Sequence, residues 1–170
     1  STLNYKDGMI LNGLGGMVRS YPHVPGIDFA GQVSASETAE FKPGDEVILT
    51  GWRVGEIHWG GYASKARVKS DWLVPLPKGL TCRQAMAIGT AGFTSMMCVM
   101  ALEHMHIKPG SGDILVTGAA GGVGSIMCQW GKHLSATVIG TVGSDAKAEI
   151  AKAHGCDHPI NYATENFAER

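Results

Sequence analysis

The sequence is poor in charge and in cysteine, and each shortage excludes a class of function. Only 17% of its residues are charged, and its formal net charge is -1 at pH 7. A balance this close to neutral gives no electrostatic reason to expect nucleic acid or an anionic membrane as a partner. The four cysteines are widely spaced without a C-x-x-C pair, which excludes a zinc ribbon or a dithiol redox motif. Reduced thiols in a cytoplasmic protein are the interpretation that remains.

Charge is missing altogether from one long run, Ala85–Leu102, which has eighteen residues. That length approaches what a membrane-spanning helix needs. The run nevertheless contains Gly89, Gly92, two threonines and a serine. We therefore expect a buried helix at a domain junction and no membrane segment.

Glycine, by contrast, is abundant, with 24 residues that follow no period, as expected for a globular chain rich in turns. In the first eighty residues, short apolar stretches alternate with turn signals such as Pro43-Gly44-Asp45. We predict strands within Gly26–Ala35, Phe41–Gly51 and Gly60–Pro77, the last contributing two. This spacing indicates a compact, irregular β domain over residues 1–89.

The pattern changes after Gly79. Thr81 is a candidate N-cap for a first helix, and a second helical stretch follows Gly92. The remaining sequence then reads strand, glycine turn, helix, strand, helix and strand, with "DILVT", "ATVIGTVGS" and "HPINY" as the strands. This alternation is typical of a parallel, doubly wound sheet, and we assign it to a second domain over residues 90–170.

The glycine turn "GAAGGVG", Gly118–Gly124, lies between the first of these strands and its helix. Small residues there let the backbone approach a pyrophosphate, which the positive end of the helix dipole then stabilises. The first glycine of the usual fingerprint is replaced by Ala119, and a tight turn without a ligand is the alternative. The context favours dinucleotide binding, with these contact residues: Ala120, Gly121, Gly122, Val123 and Gly124.

The end of the second strand distinguishes the two common dinucleotides. An NAD site usually has a carboxylate there for the ribose 2′-hydroxyl, and that carboxylate would repel a 2′-phosphate. Here the strand ends at Gly143 and Ser144, Asp145 comes late, and Lys147 follows. We therefore predict NADPH as the cofactor, held in part by Gly143, Ser144 and Lys147. The alternative for Lys147 is an ordinary solvated helix residue.

With these features in place, the chain resembles the medium-chain dehydrogenase/reductase superfamily. The resemblance rests on five motifs in order: "NYKD" at Asn4–Asp7, "PGIDFAG" at Pro25–Gly31, "KPGDEV" at Lys42–Val47, "GGYA" at Gly60–Ala63, and the glycine turn. It implies a partial GroES-like β domain, beginning with an "NYKD" strand, and then the first half of a Rossmann sheet. Family members extend beyond both ends of this sequence, so we expect the isolated chain to be inactive.

Two branches of the superfamily are similar to different parts of the chain. Residues 1–125 resemble acrylyl-CoA reductases in runs such as "LNYKDGMILNG" and "GTAGFTSMMCVMALE". From Cys128 onward the sequence is more similar to NADPH:quinone oxidoreductases. The resemblance thus implies reduction of an acrylyl-CoA-like enoyl thioester, with quinone reduction as the alternative. A non-enzymatic, crystallin-like NADPH-binding module is a third possibility, from a different class.

Comparison with the zinc-dependent alcohol dehydrogenases of the same superfamily indicates a site without metal. Those enzymes carry a cysteine ligand near the position of Asn4 and Gly-His-Glu near Gly26-Ile27-Asp28. This sequence has neither the cysteine nor the histidine, and Asp28 alone is too few ligands for zinc. Reduction of an activated double bond suits such a site, because the charge of the resulting enolate can be held by hydrogen-bond donors.

The resemblance also implies roles for residues outside the glycine turn. It places Tyr5 and Asn4 beside the nicotinamide as catalytic residues, with Tyr5 also contacting the cofactor; a polar pair in the core of the β domain is the alternative. Thr90 and Thr94 match positions near the nicotinamide, and Tyr162 matches an adenine-side contact. Arg19, Tyr21 and His23 lie on a loop that could meet the substrate, although a solvated loop is the preferred interpretation. We expect a homodimer acting on a small molecule.

Overall fold

The computed structural model describes residues 1–169, which form two compact units. The first unit is Ser1–Thr90, and the second begins at Ala91. Each unit has its own sheet, antiparallel in the first and parallel in the second.

The first unit begins with a helix and continues as a small sheet. Its strands pair in the order β1-β2-β3, and Asp28 on β1 lies opposite Thr50 on β2. Alternate residues of β2, Val47 and Leu49, are buried, as a half-buried strand requires. The elements are α1 (Tyr5–Leu11), β1 (Asp28–Gln32), β2 (Glu46–Thr50), a 3-10 turn (Ser70–Trp72) and β3 (Val74–Pro75).

Two strand predictions in this unit are wrong. The "NYKD" segment is not a strand, because the Asp7 carboxylate accepts the N–H of Asn4 at 2.9 Å and fixes the start of α1. Within Gly60–Pro77 only Val74–Pro75 is a strand. The N–H groups of Gly60 and Gly61 instead donate to carbonyls of the loop around Pro25, so this backbone pairs with a loop and not with the sheet.

Helix α2 (Cys82–His104) joins the two predicted helices and is interrupted at Gly89, which has φ 53° and ψ -162°. Thr81 caps its start as predicted, since its hydroxyl accepts the N–H of Gln84 at 3.2 Å. This helix is long and apolar enough to span a membrane by length and composition. The interruption leaves a continuous piece that covers only about 22 Å, against about 30 Å for a hydrocarbon core.

The second unit contains the predicted parallel sheet, with strand order β4-β5-β6. Neighbouring strands are in register, with Ile114 beside Val138 and Gly140 beside Pro159. Buried Val138, Val142 and Cys128 belong to its core. The elements are β4 (Ile114–Val116), α3 (Gly122–His133), β5 (Val138–Val142), α4 (Asp145–Ala153), β6 (His158–Asn161) and a 3-10 turn (Phe167–Glu169).

Candidate functional site

The glycine turn connects the carboxyl end of β4 to the first turn of α3. Gly118 has a φ of +63°, a conformation that glycine adopts without strain. A Cβ on Gly124 would overlap the carbonyl of Gly118 and would lie 2.8 Å from the Cα of Ala119. Glycine is therefore required at position 124 by the packing of the helix against its own turn.

Gly121 and Gly122 differ from Gly124, because both are exposed. A Cβ on Gly122 would touch only the side chain of Ala91, at 3.4 Å. Gly121 is the N-cap of α3, and no side chain in the described part of the chain caps this helix. The first amides of α3 thus remain available to an anion, and the exposed glycines leave room for it to approach the backbone.

The end of β5 brings together four more of the predicted residues. The hydroxyl of Tyr162 lies 2.7 Å from the position that a Cβ on Gly143 would take. Ser144 is the N-cap of α4, and its hydroxyl accepts the N–H of Lys147 at 3.3 Å. The Lys147 side chain is exposed. This cluster lies at the carboxyl end of a parallel strand, where ligands of doubly wound sheets bind.

The late carboxylate, Asp145, already has a partner. Its Oδ1 accepts a hydrogen bond from the amide of Asn161 at 2.7 Å. Asn161 ends β6, so this bond joins the start of α4 to the end of β6. The acid therefore has a structural role beside Ser144.

In the first unit, the two predicted catalytic residues have different environments. The side-chain amide of Asn4 donates to Thr2 Oγ1 at 2.8 Å and to Asp7 Oδ2 at 3.3 Å. Tyr5 is 86% exposed, and its hydroxyl has no hydrogen-bond partner among residues 1–169. The hydroxyl of Tyr5 is thus free to donate, whereas both amide hydrogens of Asn4 are engaged.

A buried carboxylate of α1, Asp7, was not singled out by the sequence analysis. Asp7 is fully buried, and its Oδ1 accepts the backbone N–H groups of Gly26 and Ile27 at 3.0 and 3.1 Å. Burial, followed by the charge and a hydrogen bond of Asp7, raises the pKa of Tyr62 to about 12. The sequence signal that could have identified Asp7 was its position three residues after Asn4, because this is the spacing of a capping box.

Asp28 is the second buried carboxylate. Thr2 donates its N–H to Oδ1 at 2.8 Å, and Thr90 donates its N–H and its hydroxyl to Oδ2 at 2.9 and 2.7 Å. Burial raises the pKa of Asp28, but the hydrogen bonds from Thr2 and Thr90 outweigh it and leave the pKa below its ordinary value. The carboxylate is therefore ionised and already coordinated by four donor groups, of which the Thr2 hydroxyl is the last.

The other predicted residues are spread more widely. Thr94 is half-buried in the part of α2 that belongs to the second unit, next to Ser95, whose hydroxyl donates to the carbonyl of Val123 at 3.1 Å. His23 Nε2 lies 2.8 Å from the carbonyl of Gly55. Arg19 and Tyr21 are exposed. Across residues 1–169, no group of three or more His, Cys, Asp or Glu side chains is placed to hold a metal.

Two family models match the chain. Residues 1–78 match the alcohol dehydrogenase GroES-like domain, and residues 122–170 match the zinc-binding dehydrogenase domain. The chain is 59% identical over 155 residues to the acrylyl-CoA reductase AcuI of Ruegeria pomeroyi, which covers 91% of this chain and 47% of that protein. Quinone oxidoreductases also match, at 31% to 38% identity.

Solved structures with bound dinucleotides are similar to this fold. The YhdH oxidoreductase of Salmonella enterica, in complex with NADP, has a TM-score of 0.90 and 52% identity, covering 94% of this chain and 49% of that one. YhfP of Bacillus subtilis, with NAD bound, has a TM-score of 0.84 and 43% identity, with the same coverage. The chain spans about half the length of the relatives that it matches.

Proposed function

The chain belongs to the medium-chain dehydrogenase/reductase superfamily, and from this membership we propose that its protein is an NADPH-dependent reductase of an activated C=C bond. An acrylyl-CoA-like enoyl thioester is the proposed substrate. The observation that carries the proposal is the 59% identity to an acrylyl-CoA reductase over 91% of the chain. Quinone reduction is the second candidate, supported by the quinone oxidoreductases among the relatives.

The second unit has groups suited to the phosphates and to the adenosine of NADPH. The exposed turn at Gly121 and Gly122 and the uncapped amides of α3 suit the pyrophosphate. Gly143 and Tyr162 suit the adenosine, with Ser144 and Lys147 as donors toward a 2′-phosphate. We propose Ala120, Val123, Thr90 and Thr94 as further contacts, on the family pattern.

The proposed reaction turns the thioester carbonyl into an enolate. A hydrogen-bond donor is therefore needed for the oxygen that becomes negative. When bound, NADPH supplies the hydride, which adds to the β-carbon of the thioester. We assign the donor role to Tyr5, because its hydroxyl is exposed and has no partner within residues 1–169. A hydroxyl or water also supplies the proton for carbon. Asn4 contributes by fixing the start of α1, so that Tyr5 occupies its first position.

We propose that no zinc takes part. The Asp28 carboxylate is occupied by donors from Thr2 and Thr90, and zinc needs three or four ligands. The second family model is named for zinc binding. The residues of this chain that match it, as far as Glu169, contain no group of three or more His, Cys, Asp or Glu side chains placed to hold a metal. Elemental analysis of chelator-washed protein tests this point. A stoichiometric zinc signal would refute it.

Steady-state rates test the proposed reaction. NADPH oxidation should be faster with acrylyl-CoA than with a small quinone, measured in the complete protein that carries this sequence. A higher kcat/KM for the quinone would favour the second candidate. Negligible oxidation with both would exclude both reactions and leave the NADPH-binding module.

The Tyr5→Phe variant separates an enzyme from such a module. We expect it to lower kcat strongly and to change the Kd for NADPH far less, because the donor is removed while the contacts to the phosphates remain. Tyr21→Phe is the matched control, since Tyr21 is another exposed tyrosine of the same unit. Wild-type turnover in Tyr5→Phe would remove Tyr5 from the mechanism.

On the family pattern we also propose that the protein is cytoplasmic and forms a homodimer. Sedimentation analysis of the complete protein tests the second point. A single monomeric species would contradict it.

A further inference from the structure

A pair of stacked tryptophans lies in the first unit, with Trp52 exposed and Trp72 half-buried. The ring centroids of Trp52 and Trp72 are 6.0 Å apart and their planes differ by 12°. His58 lies against Trp72, with ring centroids 4.8 Å apart. Trp52 is 55% exposed. A broad aromatic face is thus open to solvent, and such faces favour a planar ligand.

The loop that presents Trp52 is strained. Trp52 and its neighbour Arg53 have φ values of 56° and 57°, in the left-handed region that bulky residues rarely adopt. The loop is held closed, because the carbonyl of Arg53 accepts the N–H groups of Glu56, Ile57 and His58. Strain of this kind persists where the surrounding structure enforces it, and it concentrates at ligand sites.

One cation lies over the aromatic face, and another, Arg53, follows Trp52 directly in the chain. Lys69 Nζ lies 5.5 Å from the Trp72 ring centroid, and no carboxylate within residues 1–169 forms an ion pair with it. Glu56 is shared by Lys6 at 2.7 Å and Arg53 at 3.7 Å, so one carboxylate meets two cations. The surface therefore offers cations for a phosphate beside a face for a base.

We propose that this tryptophan surface, formed by Trp52, Trp72, His58, Lys69 and Arg53, binds the phosphorylated adenosine of a coenzyme A thioester. Adenine would stack on the exposed face of Trp52, and Lys69 and Arg53 would attract the 3′-phosphate. The inference rests on the proposed function, in which an enoyl thioester is the substrate. It extends that function by naming the part of the chain that recognises the nucleotide end of this substrate.

Phosphorylated adenosine occurs in coenzyme A and in NADPH, so the surface could in principle serve either. The second unit already has a glycine turn, Tyr162 and Lys147 suited to one dinucleotide. The first unit would then bind the adenosine of the other molecule, coenzyme A. This division assigns coenzyme A to the tryptophan surface.

Calorimetric titration of the complete protein with coenzyme A, 3′-dephospho-coenzyme A and NADPH tests the assignment. Trp52→Gly is the main variant, because glycine removes the ring and also suits the positive φ, so that the loop is not further strained. Trp59→Ala is the control, since Trp59 is an exposed tryptophan of the same loop outside the stacked pair. Lys69→Ala tests the phosphate contact.

We expect Trp52→Gly to weaken coenzyme A binding about tenfold and to leave NADPH binding unchanged, while Trp59→Ala binds both as wild type does. Lys69→Ala should weaken coenzyme A more than its dephospho form. Equal coenzyme A affinity in wild type and Trp52→Gly would overturn the proposal, as would a loss confined to NADPH or a wild type that binds no coenzyme A. If the protein did not oxidise NADPH in the presence of acrylyl-CoA, the proposed function would be refuted. The binding results for coenzyme A would still stand.

Discussion

We propose that the cofactor preference depends most on Lys147, in the first turn of α4. It is an exposed cation beside Ser144, while the nearby Asp145 is bound to Asn161. We predict that NADPH binds at least about tenfold more tightly than NADH, about 1.4 kcal/mol. Lys147→Glu should abolish or reverse this preference, because a carboxylate repels the 2′-phosphate.

The ratio of the two dissociation constants, measured by titration, checks this prediction. Lys152→Glu is the control, since Lys152 lies at the other end of the same helix. The measurement is informative because two solved structures with similar folds hold different dinucleotides, NADP in YhdH and NAD in YhfP. An unchanged ratio in Lys147→Glu would mean that Lys147 only faces solvent.

Asp28 gives the first unit a pH-dependent stability. Its pKa in the folded protein lies below the ordinary value of 3.8. Its contribution to stability is therefore complete above that value and is lost as the pH falls through the lower, folded-state pKa. Asp28→Asn should lower the Tm at pH 7, because an amide cannot accept from all the donors of Thr2 and Thr90.

Thermal melts between pH 7 and pH 2 check this expectation. The difference in Tm between wild type and Asp28→Asn should shrink as the pH falls below about 3.8. Asp71→Asn is the control, an exposed aspartate of the same unit. A difference that stays constant down to pH 2 would contradict the role given to Asp28.

At the scale of the residue, sequence reasoning found groups whose signal is local and missed those defined by distant partners. Thr81 was predictable as a cap because its partner is three residues away. The two acids were not recognised as hydrogen-bonding centres. Asp7 receives donors about twenty residues away, and Asp28 receives donors from Thr90, so neither pairing is visible until the chain folds.

At the scale of the element, the turn between β4 and α3 requires glycine for two reasons, packing at Gly124 and access to the backbone at Gly122. Single substitutions can separate these two reasons. Gly124→Ala places a Cβ against the carbonyl of Gly118 and should lower the Tm markedly. Gly122→Ala meets only Ala91 at 3.4 Å, and alanine in a helix costs less than glycine. The second variant should keep its Tm and still lose NADPH affinity, since its methyl group blocks the approach to the backbone.

Thermal melts and NADPH titration of the two variants check this separation, each variant serving as the control of the other. If Gly122→Ala binds NADPH as wild type does, the turn is a structural feature and not the pyrophosphate site.

The elements of the second unit were predictable because a short stretch of neighbouring residues is enough to indicate each one. The segments "DILVT", "ATVIGTVGS" and "HPINY" predicted β4, β5 and β6, and these strands pair in parallel. The sequence predicts two helical stretches separated between Gly89 and Gly92, and the interruption lies at Gly89, whose Cβ position would be 2.9 Å from Thr2. A distant contact thus selects which of two glycines interrupts the helix.

At the scale of the whole molecule, the three-stranded parallel sheet has an open side. β4 pairs only with β5 among the described strands, and its Leu115 is 52% exposed. Unpaired strand edges and exposed apolar side chains promote association. We predict that these 170 residues, expressed alone, bind NADPH weakly at most, melt broadly and reduce nothing.

Calorimetry, NADPH titration and a reductase assay on that polypeptide check the prediction. Sharp cooperative melting together with micromolar NADPH binding and measurable turnover would contradict it.

The most direct test of the central claim follows the hydride. The complete protein is incubated with acrylyl-CoA and NADPH carrying deuterium at the transferable C4 position, and the propionyl-CoA product is analysed by NMR. The account predicts one deuterium on the β-carbon of the product and a solvent proton on the α-carbon. Product without deuterium at the β-carbon, or no product at all, would contradict the assignment of this chain to an NADPH-dependent reduction of an activated C=C bond.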